Sequence, residues 1–307
     1  MRIAVMGAGG VGGYFGAKLA KAGHDVAFIA RGAHLAAMRA KGLRVESAGG
    51  DVVLPRVVAT DDPSSLAPVD VVMFCVKLWD VETAASQVAP LVAPDGVVIP
   101  FQNGIDSHAM LQRVLGASRV LGGVAYIAAA ILAPGVIVHT GSMARLRIGA
   151  FEDELAGRAN AFVQTCAQAG IDAEVAPDIR RALWEKFAFL AALSGVTALS
   201  RRPVGFIRRD PDLRAAFEAA MKEAIALALA ENVTLSDDFL PRQLRALDGL
   251  PAEMRSSMQN DLIAGHRLEA PWLCGRVAES SAKAGIAAPV SATIYAGLKP
   301  YIDGAPH

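Results

Sequence analysis

Through the first half of the chain, short and almost uninterrupted apolar runs alternate with longer segments of helical spacing. Residues 3–6, 26–30, 69–76 and 97–101 read as strands, and their continuous apolarity fits strands covered on both faces. Strands of that kind, separated by helix-like segments, predict a parallel sheet with crossover helices. Residues 44–47 and 52–54 flank Ala48-Gly49-Gly50-Asp51 and read as a hairpin, while residues 120–148 read as further strands joined at Gly122-Gly123 and Pro134-Gly135. The sheet is therefore expected to be mixed at that end.

From about residue 178 the period changes to that of helices. Asp178 reads as the N-cap of a helix through Trp184, Phe187 and Leu190, and further helices are expected over residues 211–231, 237–247, 251–267, 270–284 and 289–296. The expected architecture is an α/β N-terminal domain of the Rossmann type over residues 1–177, followed by an all-helical domain over residues 178–307. A chain of 307 residues is long enough for two such cores.

Charge and composition narrow the function. Thirty Lys and Arg balance thirty Asp and Glu, so no global basic field favours nucleic acid or an anionic membrane. At 53% hydrophobic residues the chain is not disordered. The uncharged runs 120–138 and 187–200 fail as membrane spans, the first broken by turns and the second too short. The apolar stretch at the N-terminus stops at Gly7, short of the roughly 7 to 15 residues a signal peptide needs. Cys75, Cys166 and Cys274 are far apart in apolar contexts and read as reduced core thiols. A cytoplasmic protein without nucleic-acid or membrane partners is expected. The six histidines, His24, His34, His108, His139, His266 and His307, show no paired ligand spacing, so no metal site is expected.

Gly7-Ala8-Gly9-Gly10-Val11-Gly12 follows the first strand and opens a helix that stops at Gly23. In that context GxGxxG is a dinucleotide-binding turn. Gly7 makes the bend, Gly9 admits the pyrophosphate, and Gly12 lets the helix close on the strand, with free helix amides facing the phosphates. Arg31 stands at the end of the second strand, where an NAD enzyme places a carboxylate on the ribose diol. A guanidinium there suits the 2′-phosphate of NADPH, the alternative being a solvated surface arginine. Lys77 and Asn103-Gly104 follow two further strands, at the edge where open sheets bind ligands; each also has a plain reading, as a strand-ending charge and an ordinary turn.

In the helical half, Lys186 lies within Leu183-Trp184-Glu185-Lys186-Phe187-Ala188-Phe189-Leu190. A lysine so placed either snorkels or serves chemistry, and burial would lower its pKa toward that of a general acid for carbonyl reduction. Glu269 reads as a first-turn carboxylate and Ser257 as a helix-surface hydroxyl.

Together these residues resemble the ketopantoate reductases (2-dehydropantoate 2-reductases), NADPH enzymes of pantothenate biosynthesis. The resemblance is carried by Gly7 to Gly12, Arg31, Lys77 with Trp79, Gln102-Asn103-Gly104, the stretch from Pro134 to Gly141, Trp184-Glu185-Lys186, Ser256-Ser257-Met258 and Leu268-Glu269. It implies a helical domain like that of the 6-phosphogluconate dehydrogenases and an active site in the cleft between the domains. It further implies cofactor contacts from Gly7, Ala8, Gly9, Gly10, Val11, Gly12, Arg31, Lys77 and Asn103. Lys186 would be the general acid, Glu269 and Ser257 would hold the substrate's hydroxyl and carboxylate ends, and Asn103 would touch both nicotinamide ribose and substrate.

Two positions depart from the family. Asparagines are usual four and eight residues after the lysine, on the same helix face; this chain has Leu190 and Ser194 there. Losing one polar contact to the substrate costs about 1 to 3 kcal/mol. The helix start after Glu269 also differs, reading Ala270-Pro271 where the family has Ile-Asp. The expected activity is NADPH-dependent reduction of 2-dehydropantoate to pantoate. The rival readings are a paralogous reductase of another 2-oxo acid or imine, favoured by Leu190, and an NADPH-binding sensor without turnover. The Ala-rich helices could form a homodimer surface.

Overall fold

A computed structural model describes residues 1–305. The chain forms two compact units, the first comprising Met1–Gln102 and Asp106–Ala182, the second Asn103–Ile105 and the chain from Leu183 onward.

The first unit contains ten strands: β1 Arg2–Met6, β2 Asp25–Ile29, β3 Leu43–Ser47, β4 Val52–Leu54, β5 Val58–Thr60, β6 Val69–Phe74, β7 Val92–Pro100, β8 Gly122–Ala133, β9 Val136–Gly149 and β10 Asp172–Val175. Its helices are α1 Gly10–Lys21, α2 Gly32–Lys41, α3 Val81–Val88, α4 Ser107–Leu115 and α5 Ala156–Gln168. The predicted buried strands are present as a parallel sheet of order β5-β2-β1-β6-β7. Ile3, Val5, Phe28, Val71, Met73, Val97 and Ile99 belong to the unit's buried core, which explains why these strands lack an alternating pattern.

The expectation of one mixed sheet is corrected. Strands β3, β4, β8, β9 and β10 form a separate five-stranded sheet in which β3 and β10 pair β9 in parallel while β4 and β8 are antiparallel to their neighbours. The predicted hairpin is β3–β4. Helix α1 packs against both sheets, burying Phe15, Ala17 and Leu19, so each sheet finds a cover without merging. Gly122-Gly123, read as a turn, lies at the start of β8. A Cβ on Gly123 would stand 2.6 Å from the Pro100 carbonyl oxygen, and one on Gly122 would stand 2.3 Å from the Ile179 side chain. Those glycines serve close packing rather than chain reversal. Pro134-Gly135 does reverse the chain between β8 and β9, with Gly135 at φ +79°.

Helix α6, Ile179–Ser200, begins directly after Asp178, the expected N-cap, whose side chain accepts from the Arg181 amide at 2.9 Å. By length and composition it could cross a membrane, but 72% of its most apolar 18-residue window is buried inside the protein, as for a core helix. The second unit continues through α7 Val204–Arg209, α8 Pro211–Ala230, α9 Phe239–Gly249, α10 Ser257–Ile263, α11 Cys274–Lys283 and α12 Pro289–Leu298. Phe187, Phe217, Met221, Leu227 and Phe239 are buried in it. The buried Glu223 carboxylate accepts from the backbone amides of Val290 and Ser291 at 2.8 and 2.7 Å, capping α12 from α8.

Two helix expectations are shortened. The helix expected from residue 251 begins at Ser257, because the carbonyls of Ala252 and Met254 accept from the amides of Gly205 and Val204, and the Ser256 hydroxyl caps Gln259 at 3.0 Å. It stops before Gly265, at φ +69°. The helix expected over 270–284 is a 3-10 turn, Ala270–Trp272, broken at Leu273 from α11. All three cysteines are free, and burial pushes the thiols of Cys166 and Cys274 up to about 12.

Candidate active site

The glycine turn of the first unit is built by the ends of β1 and β2. The amides of Gly7 and Ala8 both donate to the Ile29 carbonyl at 3.1 Å, which ties the turn to the strand that carries Arg31. Gly7 has φ +94°, and a Cβ there would lie 2.8 Å from the Cys75 backbone. A Cβ on Gly12 would lie 2.7 Å from the Val5 side chain, so that glycine sets the close approach of α1 to β1. Gly10 faces the second sheet, where a Cβ would stand 2.1 Å from the Ala129 carbonyl oxygen. Gly9 differs from all three, since a Cβ on it would meet nothing within 4 Å. The missing side chain at Gly9 thus leaves open space, as a backbone cradle for phosphate requires. The first turn of α1 carries no acidic residue to repel an anion.

His34, a residue the sequence reading assigned to nothing, braces this turn. Its Nδ1 accepts from the Gly135 amide at 3.1 Å, so the proton must sit on Nε2, which donates to the Ala8 carbonyl at 3.0 Å. Burial holds its pKa below 6.5 and keeps it neutral. Arg31 caps the start of α2 and its guanidinium is 81% exposed, yet it is not solvated alone: Nη2 meets Asp80 Oδ2 at 2.5 Å. Lys77 is exposed after β6, with its ammonium 5.5 Å from the centre of the Trp79 ring. Gln102 donates to the carbonyls of Phe74 and Val76, joining the ends of β6 and β7. His139 is packed beside the Tyr14 ring, its Nε2 donating to the Met143 carbonyl at 3.0 Å and its Nδ1 lying 2.8 Å from the Ser47 hydroxyl.

In the second unit, Lys186 on α6 donates to Asn103 Oδ1 at 2.8 Å. The lysine is half-buried, and burial pulls its pKa from 10.5 down to about 8, against the opposing charge of Glu269. Glu269 is itself buried, at the head of the 3-10 turn. Leu190 and Ser194 follow Lys186 on the same helix face, half-buried and buried respectively. Ser257 is exposed as the first residue of α10. Among the described residues no group of three His, Cys, Asp or Glu could hold a metal ion; His307 lies outside them.

A half-buried ammonium with a pKa near 8, an amide accepting from it and a carboxylate whose charge opposes its loss of a proton can protonate an oxygen near neutral pH. This is the chemistry of a carbonyl reductase. The family model of ketopantoate reductase PanE/ApbA matches residues 3–153, and that of the ketopantoate reductase PanE/ApbA C terminal matches residues 178–301. A 2-dehydropantoate 2-reductase of Archaeoglobus fulgidus is 31% identical over 95% of this chain and 95% of its own length. The chain belongs to the ketopantoate reductase family.

It is an oxidoreductase of that family. An uncharacterized oxidoreductase of Bacillus subtilis, YkpB, is also 31% identical, covering 98% of this chain and 99% of that protein. The crystal structure of 2-dehydropantoate 2-reductase from Geobacter metallireducens superposes with a TM-score of 0.91 at 31% identity, covering 97% of this chain and 99% of that one. Three features of this family member were not legible in the residues. His34, Asp80 and the Thr197–Ser256 pair, at 2.7 Å, act through partners far along the chain. No local pattern announces them.

Proposed function

We propose that this protein reduces 2-dehydropantoate to pantoate with NADPH in the cytoplasm, as a step of pantothenate biosynthesis. The observation that carries the reading is the Lys186 ammonium, half-buried, bonded to Asn103 and holding a pKa of about 8. When bound, the nicotinamide supplies a hydride for the 2-oxo carbon. Gly7, Ala8, Gly9, Gly10, Val11 and Gly12 would hold its pyrophosphate, Arg31 and Lys77 its adenosine end and Asn103 its nicotinamide ribose.

Lys186 delivers a proton to the ketone oxygen as negative charge develops there, and the hydroxy acid leaves with that proton. Since Asn103 Oδ1 accepts from Lys186, its Nδ2 group is turned to donate to a ribose hydroxyl or a substrate oxygen. Glu269 opposes the loss of the Lys186 proton and accepts from the substrate hydroxyl, and the Ser257 hydroxyl donates to the carboxylate. Ser194 offers a hydroxyl on the same face.

Leu190 favours a second reading. It puts an apolar side chain one turn from Lys186, which suits a 2-oxo acid less polar than 2-dehydropantoate, reduced by the same chemistry. The deciding experiment follows NADPH consumption with 2-dehydropantoate beside a panel of 2-oxo acids and with NADH as control. Turnover of 2-dehydropantoate with the highest kcat/KM supports the first reading. A higher kcat/KM on an apolar 2-oxo acid replaces it with the second, and silence across the panel overturns both.

A further inference from the structure

Strands β2 and β6 flank β1 in the parallel sheet. Arg31 follows β2 and Asp80 lies in the 3-10 turn Leu78–Asp80 after β6, so their ion pair at 2.5 Å runs across the carboxyl end of β1, where the glycine turn begins. Neighbouring strands lie about 4.8 Å apart, so the two residues reach toward each other over roughly 10 Å of sheet edge. Asp80 is the more fixed partner: its side chain is 28% exposed against 81% for Arg31. It stands at the N-cap position of α3 without making a side-chain cap bond. Its carboxylate is thus committed to Arg31 rather than to the helix.

We propose that Asp80 is a specificity-determining residue that narrows the preference for NADPH over NADH by competing with the cofactor's 2′-phosphate for Arg31. The inference rests on the reading of the first unit as an NADPH site. A 2′-phosphate carries close to two negative charges. To engage the guanidinium through Nη2 it must displace Asp80; if it uses the other donors, it lies within several ångströms of a carboxylate. Either way its affinity drops. A ribose 2′-hydroxyl meets the opposite situation, because a carboxylate is the acceptor that NAD enzymes supply to it. Arg31 and Asp80 therefore serve one ribose in two forms, and their contact sets the balance.

At about 6 Å in a solvent-like dielectric, one carboxylate repels a dianion enough to weaken binding by about tenfold at low salt and about threefold at physiological salt; where the phosphate instead displaces Asp80, loss of the exposed ion pair costs a factor of up to about five. The test is direct binding, without substrate: dissociation constants of NADPH and NADH for the wild type, Asp80→Asn and Arg31→Ala, read by calorimetry. Thermal unfolding of each variant serves as the folding check. Asp80→Asn is expected to tighten NADPH about three- to tenfold and to leave NADH unchanged or weaker. Arg31→Ala is expected to abolish the difference between the two nucleotides. A ratio of NADH to NADPH constants unchanged or lowered in Asp80→Asn overturns the proposal, a lowered ratio meaning that Asp80 positions Arg31 for phosphate. A wild type that binds both nucleotides alike, with a preference appearing only in Asp80→Asn, supports the proposal while removing NADPH as the assigned cofactor. Failure of the wild type to bind either nucleotide overturns both readings.

Discussion

Lys186→Met removes an ammonium and keeps an unbranched side chain of similar reach, so it separates chemistry from packing. Burial has lowered the Lys186 pKa from 10.5 to about 8. At about 1.36 kcal/mol per pKa unit the difference amounts to about 3 kcal/mol charged against the folded state below pH 8. The partial exposure of Lys186 screens part of this, and Asn103 loses its donor at a cost of about 1 kcal/mol. The variant is therefore expected to be more stable than the wild type by about 1 to 2 kcal/mol at pH 7.

The pH dependence follows from the direction of the shift. Between about pH 8 and 10.5 the unfolded chain holds the proton that the folded lysine has released. Wild-type stability therefore rises with pH through that window, and the advantage of Lys186→Met fades. Activity moves the other way: loss of the general acid lowers kcat by about 10²- to 10⁴-fold while NADPH binding persists, and the fall in wild-type kcat for reduction as pH passes about 8 disappears. Steady-state kinetics from pH 6 to 10, NADPH calorimetry and urea unfolding at pH 7 and 10 measure all three. A variant that keeps kcat, or a wild-type rate flat through pH 8 to 10, would refute the role given to Lys186. A variant less stable than wild type at pH 7 would refute the energetic argument.

Substitutions at four further positions test other parts of the reasoning. Gly9→Ala, with open space around the added methyl and an ordinary backbone φ of −76°, should leave thermal stability intact but weaken NADPH about tenfold or more; Gly10→Ala, facing the Ala129 carbonyl, should lower the Tm instead. The neutral His34 has a pKa below the 6.5 of the unfolded chain, so its contribution is present above that pH and lost as pH falls below it. Unfolding of wild type and His34→Gln at pH 7.5 and 5.5 should show a smaller acid loss in the variant. Thr197→Val removes the hydroxyl that the buried Ser256 hydroxyl bonds, leaving Ser256 only its contact with the Gln259 amide, and should cost about 1 to 3 kcal/mol in urea unfolding, whereas Thr197→Ser should recover most of it.

Most of the parallel sheet and the glycine turn was legible because their causes are local. Strands covered on both faces read as unbroken apolar runs, and the turn needs glycines at set positions. The second sheet was not legible as a separate object. Strand β3 pairs with β9 through Ser47 and His139, and β10 pairs with β9 from beyond α5; pairings so distant leave no mark in a local period. The short α10 has the same cause, since two carbonyls of its expected first turn are taken by Val204 and Gly205.

The site divides along the same line. Lys186 was conspicuous as a charge in an apolar helix, and Arg31 by its distance from the glycines. What each does depends on a partner that the residue itself cannot reveal: Asn103 is 83 positions from Lys186 and Asp80 is 49 from Arg31. The sequence by itself determined the alternation of strand and helix and the glycine turn, and it singled out Lys186 as a charge in an apolar helix, because local sterics and hydrophobic period suffice for these. Only the tertiary structure decided the lowered pKa of Lys186 and the carboxylate paired with Arg31, because desolvation and Coulomb interaction depend on distance in space rather than along the chain.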